Sequence, residues 1–177
     1  DTLPEPAAPV KTKKEKKAES AQIRAEQELA KRILARKRLL PFVEKFNPDY
    51  LAGWVHKDIC QRLEKFSEAV ANEESPRLML FMPPRHGKST LASVAFPAWH
   101  LGKNPQHEFI SCSYSGSLAM SFSRKVRQLV REPNYRHIFE ETKLDKDSQS
   151  IESWLTTRGG GYVAAGVGGG ITGKGAN

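Results

Sequence analysis

The sequence predicts an α/β domain with a mostly parallel sheet flanked by helices. Two observations support this prediction. Short apolar runs, RLMLFM at residues 77–82 and HEFISCSY at 107–114, each precede a segment whose apolar residues have helical spacing. The resulting order of strand, loop, helix, strand and helix is typical of α/β domains, in which parallel strands lie buried between helices.

The composition is that of a soluble globular chain. Its 177 residues are 38% hydrophobic, and the mean hydropathy is −0.55. No apolar run reaches the length of about eighteen residues that suggests a membrane span, and the N-terminal residues lack the apolar core of a secretory signal. Two cysteines, Cys60 and Cys112, are too few for a disulfide framework. A reduced, cytoplasmic protein without a membrane partner is therefore expected.

The basic charge is concentrated near the N-terminus. Of the net charge of +8, residues 1–40 supply +5, from 11 Lys and Arg against 6 Asp and Glu. Residues 1–14 are rich in Pro and Lys and are predicted to be disordered. Residues 15–40 contain strong helix formers and are predicted to form an exposed helix that ends before Pro41. We expect residues 1–40 to be a basic extension that adds little to stability, and residues 41–177 to form the domain. A polyanionic partner and simple solvation explain this charge equally well.

Hydrophobic periodicity predicts the remaining helices. Apolar residues at helical spacing predict a helix over residues 55–70, and a further helix over 117–131 is predicted to stop before Pro133. The helix that follows the first apolar run is expected to end or kink at Pro97. Residues 134–150 are polar, and we predict a loop there.

The C-terminal third of the chain contains a probable hairpin and a glycine-rich stretch. IESWLTT at 151–157 and GYVAAGV at 161–167 predict two strands joined by Arg-Gly-Gly. Nine of the 13 glycines lie between Gly159 and Gly175. This density predicts a loop whose backbone approaches another group closely.

Several large aromatic residues could stack on nucleic acid bases or fill the core. Burial is the more common role of such residues in a globular domain. We therefore predict that five of them are buried: Trp99, Trp154, Tyr162, Phe81 and Phe96.

The main functional motif is MPPRHGKST, residues 82–90. It lies between a predicted strand and a predicted helix, which is the context in which a glycine-containing loop binds phosphate. It matches the end of the pattern G-x-x-x-x-G-K-[ST], while Met82 stands in place of the first glycine. The residues predicted to contact the nucleotide are Pro83, Pro84, Arg85, His86, Gly87, Lys88, Ser89 and Thr90.

The residue types of this loop suit phosphate chemistry. Gly87 permits close approach of the backbone to phosphate oxygens, and N–H groups at the start of a helix point toward an anion. Lys88 is expected to neutralise the terminal phosphates, and the Ser89 hydroxyl is expected to ligate Mg²⁺. Arg85 adds a second positive charge. The sequence thus predicts a site for a nucleotide and Mg²⁺, although a strand-to-helix turn with a chance Gly-Lys-Ser has the same local pattern.

The loop alone leaves the reaction open. Small-molecule kinases, GTPases and motor ATPases share it. The sequence lacks the Asn-Lys-x-Asp motif with which GTPases read the base. The arginines of KVRQLVREPNYRH, residues 125–137, would suit the lid of a small kinase.

Further segments narrow the choice because of their order and spacing. They are GWVHKDICQRLEKF, RLMLFMPPRHGKST, FPAWHLGKNP, SYSGSLAMSFSRKVRQLV, NYRHIF and WLTTRGGGYVAAGVGGGITGKGAN. Together they resemble the ATPase domain of terminase large subunits of tailed bacteriophages and prophages, over about residues 40–177. The glycine-rich GVGGGITGKGA is the most specific part. The resemblance implies a P-loop NTPase fold of the RecA-like, ASCE type. It also accounts for Met82, because loops of this family commonly lack the first glycine and carry an early Arg or Lys.

The resemblance implies roles for individual residues. Lys88 and Ser89 match the family's phosphate-binding and Mg²⁺-binding positions, and Arg85 matches its loop arginine. The segment around His56 and Gln61 lies where the family has an adenine-contacting element, so Gln61 is expected to contact the nucleotide.

Two further positions carry expectations from the resemblance. Lys174 lies where the family commonly has an arginine that acts on the γ-phosphate bound by a neighbouring subunit, and lysine lacks the planar fork of arginine. A flexible, solvated lysine would fit the same sequence. SYSGSLA, residues 113–119, lies where relatives of helicases have a strand-end loop facing DNA or the catalytic cleft. Capping of the next helix by serine explains the same residues.

The acids needed for hydrolysis are not apparent. In the family, an apolar strand ending in two acids follows directly after the Gly-Lys-Gly-Ala segment, and the sequence ends there at Asn177. None of the acids after Ser89 follows an apolar run of four: Glu108, Glu132, Glu140, Glu141, Asp145, Asp147 and Glu152. The family's C-terminal nuclease domain, which makes the full-length protein an endonuclease, is not within these residues. We therefore expect this chain to bind ATP without appreciable turnover.

The sequence is interpreted as the N-terminal part of a terminase large subunit. The resemblance implies an ATPase that couples ATP hydrolysis to translocation of double-stranded viral DNA into a procapsid, in the cytoplasm of a bacterial host. It implies as partners the viral DNA, other copies in a homo-oligomeric ring, the portal protein and the small terminase subunit. The alternatives are a nucleotide-binding prophage remnant that does not hydrolyse ATP and a small-molecule kinase.

Overall fold

The N-terminal part of the structure is a long helix that begins with a strong cap. The structure is a computed structural model, which describes residues 12–168, 170–171 and 175–177. Helix α1 spans Lys13–Lys37. The Thr12 hydroxyl accepts a hydrogen bond from the Glu15 N–H, and the Glu15 carboxylate accepts one from the Thr12 N–H. This capping box satisfies two N–H groups that the helix itself leaves unpaired.

The end of α1 is anchored in the core. Ala35 is fully buried, and its carbonyl accepts a hydrogen bond from the Trp99 indole at 3.1 Å. Helix α2, Leu39–Phe46, follows after a single residue and contains Pro41 in its first turn, where proline is tolerated. The Glu64 carboxylate accepts a hydrogen bond from the Leu39 N–H at 2.6 Å. The small contribution to stability expected of residues 1–40 therefore does not extend to the end of α1.

We expect the first part of α1 to be dispensable for stability. The side chains of residues 12–20 are all exposed, and a helix of this kind gains little from its own hydrogen bonds without packing. Deletion of residues 1–20 should leave the melting temperature nearly unchanged when it is followed by circular dichroism. Deletion of residues 1–38 is the matched comparison and should lower it clearly, since it removes Ala35. Equal effects of both deletions would contradict this assignment.

Helix α3, Trp54–Ala71, confirms the helix predicted from apolar spacing. Its buried face includes Ile59 and Leu63. Met79 and Phe81 are 81% and 90% exposed, in the segment that follows α3. Residues 77–82 alternate between half-buried and exposed side chains as a strand would, but they pair with no strand of the described sheet. The predicted strand is therefore wrong here, because a strand needs the backbone hydrogen bonds of a neighbour.

The helical segment that begins within the MPPRHGKST motif is continuous through Pro97. Residues 88–103 are helical, with a π-helix at Thr90–Ala95 followed by α4 at Phe96–Lys103. The prediction that the helix ends or kinks at Pro97 is corrected in one respect: the helix does not end there. The π-helix ends at Ala95, two residues before the proline, and insertions of this kind are frequent at functional sites.

The sheet has four strands in the order β1-β4-β3-β2. They are β1 at Glu108–Ser113, β2 at Leu144–Gln149, β3 at Ser153–Thr156 and β4 at Gly161–Gly166. Strands β1 and β4 are parallel, whereas β3 pairs antiparallel with both β4 and β2. The α/β class and the β3–β4 hairpin are confirmed. The mostly parallel sheet is not, because the described sheet is mixed.

Helix α5 spans Gly116–Arg131 and confirms the helix predicted before Pro133. In the stretch predicted to be a loop, residues 134–150, two elements were missed. The first is a short helix, α6 at Pro133–Ile138, which follows α5 after a single residue. Strand β2 lies at the sheet edge and carries the sequence LDKDSQ. Its polar composition did not predict a strand, because apolar residues are the usual signal, but an edge strand can expose much of its surface.

The core is built around aromatic side chains. Trp99, Trp154 and Tyr162 are fully buried and Phe96 nearly so, as predicted, whereas the burial predicted for Phe81 is wrong. The Tyr162 ring is stacked on that of Trp154, with centroids 5.3 Å apart. Helix α5 packs over β4 and β1. Among the described residues, no helix is both long and apolar enough to cross a membrane.

Candidate functional site

The MPPRHGKST motif, residues 82–90, forms an open cavity at the start of a helical segment. Two residues of the loop have left-handed backbone conformations: Arg85 with φ of 62° and Gly87 with φ of 80°. Glycine adopts this conformation without strain, whereas a residue with a Cβ does so rarely. The Leu91 N–H donates to the Gly87 carbonyl at 3.0 Å and closes the first helical turn. The loop thereby turns sharply into the helix, as the motif predicts.

The cavity has a volume of about 380 Å³. It brings together seven of the residues predicted to contact the nucleotide: Pro83, Pro84, Arg85, Gly87, Lys88, Ser89 and Thr90. Arg85, Lys88 and Ser89 are exposed. The charges of the two cationic side chains and the partial positive charge of the helix N-terminus add together. With the hydroxyl beside them, this arrangement suits a polyanion.

His86 has a different role from the residues around it. It does not line the cavity, and its ring Nδ1 lies 2.8 Å from the Pro84 carbonyl. A carbonyl only accepts hydrogen bonds, so Nδ1 carries the proton and donates it. The His86 side chain therefore stabilises the turn through a hydrogen bond to a backbone carbonyl of the same loop.

The other side of the loop packs against the segment that leads into α3. The His56 Nε2 atom lies 3.0 Å from the His86 carbonyl, and its Nδ1 accepts the Gly53 N–H at 3.0 Å. The Tyr50 ring lies edge-on to that of His56, with centroids 5.6 Å apart. A Cβ on Gly87 would lie 3.1 Å from the Tyr50 hydroxyl. The left-handed backbone conformation therefore favours glycine at this position, and a Cβ would in addition crowd the Tyr50 hydroxyl.

Sequence reasoning missed Tyr50. Its hydroxyl is buried without a hydrogen-bond partner among the described residues, and burial raises the pKa of Tyr50. No local signal could have found it, because the contact joins residues 37 positions apart and depends on how the segment before α3 folds back.

Among the described residues, Gln61 is a second predicted site residue, after His86, that does not line the cavity. Gln61 is exposed on α3 and does not line the cavity. It lies five residues from His56, which is about 140° around a helix. Contact between Gln61 and a nucleotide stays a prediction. Lys174 lies outside the described residues.

The loop SYSGSLA has a clear local function. The Ser115 hydroxyl accepts a hydrogen bond from the Leu118 N–H at 3.3 Å and caps α5. The capping explanation of this serine is confirmed, since the bond satisfies an N–H that the first helical turn leaves unpaired.

The described residues fit a magnesium ion only together with a nucleotide. No group of three or more His, Cys, Asp or Glu that could hold a metal occurs in the part of the chain that the structure describes. The exposed Ser89 hydroxyl lines the cavity beside Lys88. Mg²⁺ is commonly held by few protein ligands together with phosphate oxygens and water. The serine hydroxyl is consistent with this kind of ligation.

The fold and the loop define an α/β protein with a Gly-Lys-Ser-Thr loop that lines a cavity at the start of a helical segment. The family described as terminase large subunit, T4likevirus-type, N-terminal, matches residues 79–177. These are 99 of the 177 residues, more than half, and the chain belongs to this family. A part of the chain is also similar to replication factor C subunit 5 of Mus musculus, with 41% identity over 63 residues. The match covers 34% of this chain and 18% of that protein, so the chain spans less than a fifth of its length. No solved structure matches the chain.

Proposed function

We propose that this chain forms the ATP-binding part of a viral DNA-packaging motor, which couples ATP hydrolysis to translocation of double-stranded DNA into a procapsid. One observation carries the proposal. Lys88, Ser89 and Thr90 line a cavity at the start of a helical segment, directly after a glycine in a left-handed conformation. This arrangement lies within the region that matches the terminase large subunits. A loop with these features suits the phosphates of a nucleoside triphosphate.

Each residue of the cavity has a proposed task. The N–H groups of residues 87–90 bind phosphate oxygens, and Lys88 neutralises the terminal phosphates. Arg85 projects a second charge from the turn and assists when negative charge develops. The Ser89 hydroxyl holds Mg²⁺ together with the phosphates, and the ion would supply further charge neutralisation.

The motor as a whole requires partners. We propose that other copies of this chain form a ring around the DNA and that the portal protein and the small terminase subunit bind to it, in the cytoplasm of a bacterial host. Lys174 is proposed to act on the γ-phosphate bound by a neighbouring subunit. DNA-stimulated ATP hydrolysis by the full-length gene product would separate this motor from a nucleotide-binding remnant or a small kinase.

The proposal predicts that ATP binding depends on Lys88. A charge-assisted contact contributes about 1.5–3 kcal/mol, so Lys88→Ala should weaken ATP binding roughly tenfold or more in a calorimetric titration. Lys65→Ala is the matched control, because Lys65 is exposed on α3 and does not line the cavity. Unchanged ATP affinity of Lys88→Ala would refute the proposed nucleotide site.

A further inference from the structure

The phosphate loop is held from behind by a histidine that does not line the cavity. His56 connects two backbone segments, because its ring accepts a hydrogen bond from the Gly53 N–H and contacts the His86 carbonyl. The tautomer follows from the partners. Nδ1 accepts and so carries no proton, whereas Nε2 faces a carbonyl and must donate. Both nitrogens of a neutral imidazole are thus used, and the ring is fixed between α3 and the loop.

The orientation of one peptide group depends on this contact. The described residues contain no cis peptide bond, and in a trans peptide the C=O and the following N–H point in opposite directions. The His86 carbonyl is directed toward His56 at 3.0 Å. The Gly87 N–H is therefore directed away from His56. Rotation of the same peptide group would present a carbonyl oxygen, which repels an anion.

Glycine makes this control necessary. Gly87 has φ of 80°, and a residue without a Cβ leaves the peptide groups beside it more freedom to rotate than any other residue does. The Tyr50 ring limits that freedom, since it lies edge-on to His56 and its hydroxyl lies close to Gly87. Tyr50 and His56 thus pack against each other on the same side of the loop, at Gly87.

We infer that His56 is a positioning residue of the anion site: it sets the His86–Gly87 peptide so that the Gly87 N–H faces the bound phosphate. The inference rests on the proposed function, because it requires the loop to bind phosphate. It differs from contact with the base, since a positioning role affects every ligand that carries the phosphates.

The test uses two substitutions that separate the two hydrogen bonds of His56. His56→Gln places an amide nitrogen two bonds beyond Cγ, as Nε2 is, and can still donate to the His86 carbonyl. His56→Asn ends one bond earlier, so it can accept the Gly53 N–H but cannot reach the loop. Both variants are compared with the wild-type chain by calorimetric titration with ATP and with tripolyphosphate, which has no base.

We expect His56→Asn to weaken both ligands about three- to tenfold, the effect of one net hydrogen bond. His56→Gln should stay within about twofold of the wild-type chain, and His137→Leu, at an exposed position on α6, should have no effect. Equal affinities of the Asn and Gln variants would overturn the inference, as would weakening of ATP alone, which would indicate contact with the base. If neither ligand binds the wild-type chain in a Lys88-dependent manner, the proposed function itself fails and the inference with it.

Discussion

Trp99→Ala is expected to lower the free energy of unfolding by about 3–5 kcal/mol, the range for truncation of a buried tryptophan. The Trp99 side chain is fully buried, and the Lys103 ammonium lies 4.5 Å from its ring centroid. The substitution leaves a cavity where α4 meets the end of α1. It also removes a hydrogen bond whose loss cannot be compensated locally.

That hydrogen bond joins two distant parts of the chain. Helix α1 ends at Lys37, so the Ala35 carbonyl is one of the last four, which have no partner within the helix. The Trp99 indole N–H satisfies it. Without the indole, a buried acceptor stays unpaired, which adds to the destabilisation.

Urea denaturation followed by circular dichroism measures this effect. Trp54→Ala is the matched control, because the same side chain is removed from a position that is 81% exposed. A change within about 0.5 kcal/mol is expected for that variant. Similar losses in both variants would show that Trp99 does not anchor α1 to the core.

The second large effect is a loss of stability in acid through His100. This histidine on α4 is buried, with its Nδ1 2.8 Å from the Ser67 hydroxyl and its Nε2 3.1 Å from the His107 Nδ1. Burial lowers the pKa of His100 from 6.5 to about 4, and the nearby His107 and Lys103 act in the same direction. Burial also lowers the pKa of His107. The folded protein thus disfavours a charge at this position.

The sign of the pH dependence follows from these values. Above pH 6.5 the imidazole is neutral in both the folded and the unfolded chain, so His100 has no effect on the pH dependence of stability. Between 6.5 and about 4 the unfolded chain binds a proton that the folded chain excludes. The free energy of unfolding should therefore fall across this interval, by up to about 3 kcal/mol.

Comparison with a variant that does not titrate isolates this contribution. The free energy of unfolding is measured above pH 6.5 and near 4 for the wild-type chain and for His100→Gln. The wild-type chain should lose more stability on acidification than His100→Gln does. His137→Gln, at an exposed position, should behave like the wild-type chain. If His100→Gln loses as much stability as the wild-type chain, the source of acid sensitivity lies elsewhere.

Features encoded by neighbouring residues could be predicted well. The apolar spacing of residues 55–70 predicted α3, and the pattern around residues 151–167 predicted the β3–β4 hairpin. Burial of Trp99 and Trp154 followed from their size and apolar character. The MPPRHGKST motif indicated a loop that leads into a helix, and residues 88–103 are helical. These features depend on periodicity and turn chemistry, which are set by residues close together in the chain.

By itself, then, the sequence determined the α/β class, most of the longer helices and the segment that lines the loop cavity, although His86 and Gln61 do not line it. Only the tertiary structure decided that residues 77–82 pair with no strand of the described sheet, that the sheet is mixed and that Phe81 is exposed. It also decided that α1 docks through Ala35 and that His56 contacts the His86 carbonyl. The physical reason is that strand pairing, docking and this hydrogen bond each require a partner that is distant in the chain, and local periodicity does not specify where that partner lies.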